Sequence, residues 1–232
     1  MVHYLFDVDG TLTPSREKIN SEFAKWFLKF TNDNTVSLVS GSDYDKTVEQ
    51  LGSEIVESVQ FIFSCSGNVV RQDNEIIHEH RWSTPEPVIE YLKKQLFTSP
   101  YDERCGKHFE HRTGMLNFSI VGRNARGRER TNYYKWDLIN CERSRIAKTI
   151  NETWPDLHAV VGGETGVDIS CKGCDKSQVL DWIDDTEVMF FGDRTDPIGN
   201  DHTLAQATVI QRNGTFHTVD SWKHTWDILK SL

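Results

Sequence analysis

Apolar and polar residues fall along this chain in blocks that read as strands followed by helices. The opening HYLFDV is a short apolar run that stops at Asp7, Asp9, Gly10 and Thr11, as expected of a buried parallel strand whose carboxyl end carries carboxylates. From Asn20, the residues Phe23, Trp26, Phe27 and Phe30 recur at helical spacing, and TVSLV predicts a second buried strand ending at Ser40, Gly41 and Ser42. A helix over 43–51 and a third strand, QFIFSC, follow. Strands alternating with helices predict an α/β fold built on a parallel, doubly wound sheet.

The middle of the chain departs from that rhythm. HFEHRTG and MLNFSIVG read as two β segments about a turn at Thr113 and Gly114, after a helix from Val88 to Leu96. A charged helix over 143–153 and the strands HAVVGG and GVDIS come next. This mix predicts an antiparallel sheet with helices on one face, an α+β cap inserted into the first unit. The parallel pattern resumes after Lys176 with a helix to Ile183, the strand EVMFFGD, a strand TVIQ and a closing helix TWDILKSL. The predicted division is core over 1–77, cap over 78–174 and core again over 175–232.

Composition narrows the functional classes. With 37% hydrophobic and 26% charged residues, a 232-residue chain can bury a sizeable core. No apolar run approaches the roughly 20 residues of a membrane helix, and MVHYLFDVDG lacks the marks of a secretory signal, so a cytoplasmic location without membrane attachment is expected. Cys65, Cys105, Cys141, Cys171 and Cys174 are odd in number and scattered, which predicts reduced thiols. A net charge of −9 argues against a nucleic-acid partner. Yet Arg104, Lys107, Arg112, Arg123, Arg126, Arg128 and Arg130 form a basic island that suits a small anionic ligand.

Candidate chemistry gathers at the strand ends, where open α/β sheets bind ligands. Asp7 and Asp9 stand one residue apart before Gly10, so a turn lets them diverge around a common centre and take different roles. A carboxylate can attack phosphorus if a metal offsets the repulsion between the two anions, and Mg²⁺ suits oxygen ligands. Ser42 and its neighbours offer donors for a phosphate, and Lys176 can set an ammonium against both nucleophile and phosphoryl group. Asp193 ends its strand and opens DRTDPIGND, where it can complete a site begun by Asp7 and the Asp9 carbonyl.

Two features carry alternatives. Arg112, Arg123 and Arg130 either fork onto a phosphate or pair with Glu110 and Glu129; Arg126 and Arg128 read as solvent-facing. Cys171 and Cys174 have CxxC spacing, but no second pair or His cluster is evident, so no structural zinc is expected.

Taken in order, LFDVDGTLT, SDYDKTVEQLG, RTGMLN with the following GR, VVGGETGVD, DK, and FFGD with GND make the chain resemble the haloacid dehalogenase superfamily and, within it, the eukaryotic-type phosphomannomutases. The resemblance implies Asp7 as a phosphorylated nucleophile, Asp9 as acid and base, and Lys176 as the phosphate-stabilising cation. It implies Mg²⁺ held by Asp7, Asp9 and Asp193 with Asn200 and Asp201 in support. Arg16 matches a core arginine near the substrate, Arg112, Arg123 and Arg130 match cap arginines that grip the phosphate not being transferred, and Met115, Asn117 and Asp168 match cap positions that touch the sugar. A hexose 1,6-bisphosphate activator, a phosphorylated hexose substrate and a dimer through the caps are also implied. The rival readings are a sugar-phosphate phosphatase of the same superfamily and a non-catalytic protein on this fold. Gly166 replaces the usual sugar-contacting serine, Cys171 and Lys172 replace an apolar-acidic stretch, Ser66-Gly67-Asn68 replaces an Asn-Gly order, and the cap is shortened over 98–107.

Overall fold

A computed structural model describes residues 2–184 and 187–232. The chain opens with β1 (Val2–Asp7), α1 (Ser21–Asp33), β2 (Thr35–Val39), α2 (Tyr44–Leu51), α3 (Ser53–Ser58) and β3 (Phe61–Ser64). α1 starts where the Asn20 side chain accepts the Glu22 and Phe23 amides, satisfying donors that the first turn leaves open. It docks because Phe23 and Phe27, one turn apart, bury beside Phe6 of β1. α2 begins in the same way, with Asp43 accepting the Lys46 amide.

Two strands follow that the sequence pattern did not reveal, β4 (Val69–Gln72) and β5 (Glu75–Glu79). They extend the sheet antiparallel beyond β3 through a two-residue loop, Asp73 and Asn74. Both loop residues have positive φ, 51° and 64°, which a type I′ hairpin requires and Asp and Asn tolerate. The boundary expected at residue 78 lies inside β5.

The inserted unit comprises α4 (Glu86–Thr98), β6 (Phe109–Arg112), β7 (Met115–Phe118), α5 (Gly127–Asn140), α6 (Glu142–Thr153), β8 (Leu157–Gly162) and β9 (Gly166–Cys171). Its strands form an antiparallel sheet in the order β6-β7-β9-β8. Val88 and Leu92 of α4, Tyr133 of α5, and Ile146 and Ile150 of α6 share one apolar cluster with Leu116, Phe118, Val167 and Ile169 of the sheet. α5 was not expected, because its sequence GRERTNYYKWDLIN is polar almost all round.

The chain then returns through a 3₁₀ helix, Lys176–Trp182, where a regular helix was expected, and through β10 (Glu187–Gly192), α7 (His202–Arg212), β11 (Thr215–Thr218) and α8 (Trp222–Leu229). The core sheet has the order β11-β10-β1-β2-β3-β4-β5, parallel from β11 to β3 and antiparallel beyond. TVIQ, expected as a strand, is part of α7: Thr208 is buried and bonds back to the Leu204 carbonyl at 2.8 Å, while Val209 and Ile210 are exposed. β11, the next segment along, supplies the edge strand instead. β1 lies between β2 and β10, so its carboxyl end opens at the point where the strand order reverses. No helix among the described residues is long and apolar enough to cross a membrane.

Candidate active site

The core contributes carboxylates and one buried ammonium. Asp7, at the end of β1, is 4% exposed; its Oδ1 accepts from Lys176 Nζ at 2.5 Å and its Oδ2 from Thr11 Oγ1 at 3.4 Å. Lys176 Nζ also donates to Asp201 Oδ1 at 2.6 Å. Burial raises the Asp7 pKa, Asp201 and Asp9 add to the rise, and Lys176 opposes it, leaving the group at about 7. Burial works against the charge on Lys176, but Asp201 and Asp7 reverse that and hold it above the ordinary lysine value. Asp193 is pushed well above the carboxylate range by burial, then by Asp7 and Asp201.

This is a cluster with too few positive charges. Asp7, Asp193 and Asp201 bring carboxylate oxygens within 4.8 Å of one another. Asp201 is engaged on both oxygens, by Lys176 and by the Arg194 amide at 3.0 Å, so it braces the lysine and the loop after β10. Asp7, whose second oxygen has only the long Thr11 contact, and Asp193 are the hard anionic donors left most open, with Asn200 on the same cavity wall. Such a donor set fits Mg²⁺ by charge and ligand type. Gly10 helps to form it: at φ +90° it turns the chain after Asp9, and a Cβ there would collide with the Asp193 carboxylate.

Asp9 is held separately. Its Oδ1 accepts from the Arg16 amide at 2.5 Å and from Gln50 Nε2 at 3.0 Å. Gln50 also donates to Thr13 Oγ1 at 3.0 Å, tying α2 to the loop after β1. Sequence reasoning did not single out Gln50, although it stands in SDYDKTVEQLG and shares the buried face of α2 with Thr47 and Leu51. Ser42 lines the cavity at the end of β2; its amide donates to Ser40 Oγ at 3.0 Å and its carbonyl accepts from the Cys65 amide at 2.8 Å.

Across the cavity the inserted unit contributes guanidinium groups. Arg112 at the end of β6 and Arg123 after β7 both pair with Glu110, Arg112 at 3.1 Å. Arg130 of α5 pairs with Glu164 at 2.8 Å. Burial raises the Glu110 carboxyl, but Arg112 and Arg123 outweigh it and hold the group at about 2. Burial, then the like charge of Arg112, lowers Arg123 to about 10. Pairing leaves donors over: Arg112 Nε and Arg130 Nη1 are buried with no acceptor among the described residues. Glu129 instead accepts the Arg126 amide at 2.8 Å and starts α5, while Arg126 and Arg128 are exposed.

Asn117 and Asp168, opposite each other on β7 and β9, join through Nδ2 and Oδ1 at 2.6 Å and line the cavity. Met115, two residues before Asn117 on β7, is buried and is not part of the cavity wall. A side chain at Gly166 would collide with the Asn117 amide, so a serine there requires Asn117 to move.

The cavity between core and cap measures about 60 Å³. Contacts close it: Arg16 Nη1 reaches the Arg123 carbonyl at 3.4 Å, Arg194 Nη1 the Gly163 carbonyl at 3.0 Å, the Val161 amide the Ile198 carbonyl at 3.2 Å, and Arg112 the Gly41 carbonyl.

Solved structures with the same fold include the IMP-nucleotidase of Plasmodium falciparum (TM-score 0.66, 13% identity, 99% of this chain and 68% of that one). A trehalose-6-phosphate phosphatase related protein superposes with TM-score 0.60 at 14% identity, over 100% of this chain and 96% of that one. In sequence, a phosphomannomutase of Triticum aestivum is 31% identical over 98% of this chain and 94% of its own length. One of Saccharomyces cerevisiae is 32% identical over 98% and 92%. Residues 23–232 match the family described as eukaryotic phosphomannomutase. With near end-to-end similarity in sequence and the fold expected from it, the chain belongs to the eukaryotic phosphomannomutase family and is, as an enzyme, an isomerase.

Proposed function

We propose that this enzyme interconverts mannose 6-phosphate and mannose 1-phosphate through a phosphoaspartate at Asp7 and a hexose 1,6-bisphosphate. The observation that carries this reading is the pair of charge centres facing one cavity: buried carboxylates with a lysine in the core, and arginines with unpaired donors in the cap. A phosphatase needs only the first. A mutase must also hold a second phosphate while the first reacts, and then exchange the two.

In the proposed cycle, phosphorylated Asp7 gives its phosphoryl group to a sugar hydroxyl. Asp9 removes the hydroxyl proton as the bond between phosphorus and the aspartyl oxygen breaks. The bisphosphate turns over, Asp7 attacks the other phosphate, and Asp9 returns the proton to the departing sugar oxygen. The Arg16 amide and Gln50 fix Asp9 through one oxygen. Lys176 steadies the phosphoryl group, while Arg112, Arg123 and Arg130 bind the phosphate that is not reacting, and remote binding of this kind positions the reacting one. Mg²⁺, held by Asp7 and Asp193 with Asn200 nearby, would offset the repulsion between carboxylate and phosphate. Ser42, Asn117 and Asp168 line the cavity, which supports Ser42 as a donor to phosphate and Asn117 with Asp168 as contacts to the sugar hydroxyls. Cap closure would exclude water and so favour transfer over hydrolysis.

The same reading includes a cytoplasmic location and a dimer through the caps. Phe97 of α4 and Leu138 and Ile139 of α5 are exposed, which supports the cap as the pairing surface. The test is product analysis. With mannose 1-phosphate, Mg²⁺ and a catalytic amount of hexose 1,6-bisphosphate, phosphorus NMR should show mannose 6-phosphate accumulating. Release of inorganic phosphate in its place would overturn the mutase reading.

A further inference from the structure

The CxxC motif lacks a second pair of ligands in sequence, yet the fold supplies a third ligand from 91 residues away. Cys171 ends β9, and Gly173 at φ +85° reverses the chain so that the Cys174 amide donates to the Cys171 carbonyl at 3.1 Å. Into this turn comes His80, the first residue after β5, with Nε2 3.4 Å from Cys171 Sγ. One ligand atom from each of His80, Cys171 and Cys174 lies within 4.8 Å of the others, and all three side chains are half-buried. In a tetrahedral zinc site, sulfur and nitrogen ligands at their usual bond lengths stand about 3.6 Å apart and two sulfurs about 3.8 Å. The separations found need only small side-chain adjustments to meet that geometry.

We propose that His80, Cys171 and Cys174 bind a zinc-class divalent cation. Two thiolates and an imidazole are a borderline-soft donor set, distinct from the carboxylates of the magnesium cluster, and leave a fourth position for water. Binding displaces one proton from each thiol, with the imidazole neutral. The placement gives the site a mechanical consequence. His80 begins the outgoing linker, 80–85, and its amide is anchored to the core through the Asn68 carbonyl at 2.7 Å. Cys171 belongs to the cap sheet, and Cys174 lies on the returning segment just before Lys176. An ion held by all three fastens both connections between core and cap at one point and restrains cap opening.

The test does not depend on catalysis. Reduced protein stripped of metal is titrated with Co²⁺, which should give thiolate-to-metal charge transfer and tetrahedral ligand-field bands at one ion per chain, discharged by Zn²⁺. Cys171→Ser, Cys174→Ser and His80→Ala should each lower zinc affinity at least about 100-fold, beyond what loss of an outer partner costs, with circular dichroism confirming the fold. Cys105→Ser serves as the control, because Glu103, Cys105 and Glu129 form another cluster of possible ligands; it should leave the spectrum intact. No thiolate spectrum with wild-type protein, a spectrum that survives Cys171→Ser, or one abolished by Cys105→Ser overturns the proposal.

Discussion

The two halves of the cavity are left with an excess of charge of opposite sign, carboxylate in the core and guanidinium in the cap. On the core side, Lys176 bonds to Asp7 and Asp201, and Asp201 also holds the loop after β10, so the ammonium is fixed before any ligand arrives. On the cap side, Glu110 is shared by two arginines, and two buried guanidinium nitrogens have no acceptor among the described residues. A rigid carboxylate cluster suits bond making, where small displacements are costly. A cation-rich surface on an inserted unit suits capture and release of an anion. The same contrast separates two kinds of mutational effect, on turnover and on affinity.

The largest effect is expected at Asp7. Asp7→Asn keeps the shape of the side chain and leaves Lys176 paired with Asp201, so the fold should persist with unchanged or slightly higher thermal stability. Turnover should fall by at least about 10⁴-fold. Appreciable residual isomerisation by purified variant would remove Asp7 from the proposed role.

Breaking the other side should look different. Arg130→Ala removes a buried guanidinium that pairs with Glu164 and lines the cavity. Loss of a charge-assisted hydrogen bond costs about 1.5–3 kcal/mol, which corresponds to a roughly 10- to 150-fold rise in KM. A matching measurement of inorganic phosphate binding by calorimetry should show the same loss. If KM stays constant while kcat alone falls, the division of labour between core and cap is wrong.

Much of the core side could be read from the sequence because its residues stand at strand ends, and buried parallel strands announce themselves as apolar runs. DVDGT and FFGD mark two such ends, and the structure brings Asp7, Lys176, Asp193 and Asp201 together from four segments. The failures have equally definite causes. β5 reads EIIHE and is almost wholly exposed, so it lacks the alternation that betrays a half-buried strand. TVIQ is a four-residue aliphatic run, too short to separate a period of 2 from one of 3.6. Pairing between distant side chains, as in Arg130 with Glu164 or His80 with Cys171, has no local signature at all.

Gln50 shows the same limit and gives a smaller, more specific effect. It touches Asp9 and Thr13, so it acts by positioning. Gln50→Leu should reduce kcat about tenfold, the worth of one hydrogen bond to a charged group, with KM changed less than about twofold. Restoring a shorter amide with Gln50→Asn should recover part of the loss. Equal kcat in wild type and Gln50→Leu would show that the Arg16 amide alone suffices to hold Asp9.

Glu110 offers the mildest perturbation and the one that bears most directly on the contrast. Its carboxyl sits at about 2 in the folded protein, below the ordinary 4.5, because Arg112 and Arg123 outweigh the effect of burial. A depressed carboxyl pKa stabilises the fold fully above about pH 4.5, and the contribution fades as pH falls toward 2. Glu110→Gln should therefore cost about 1–2 kcal/mol at pH 7, allowing for solvent screening of a partly exposed pair. In denaturant melts at pH 3 the gap between the two proteins should narrow. The same variant frees two guanidinium groups, so it should bind inorganic phosphate more tightly even as it becomes less stable. Weaker phosphate binding would mean that Glu110 orders the arginines for the ligand, and that the cap, like the core, is pre-set by its own ion pairs.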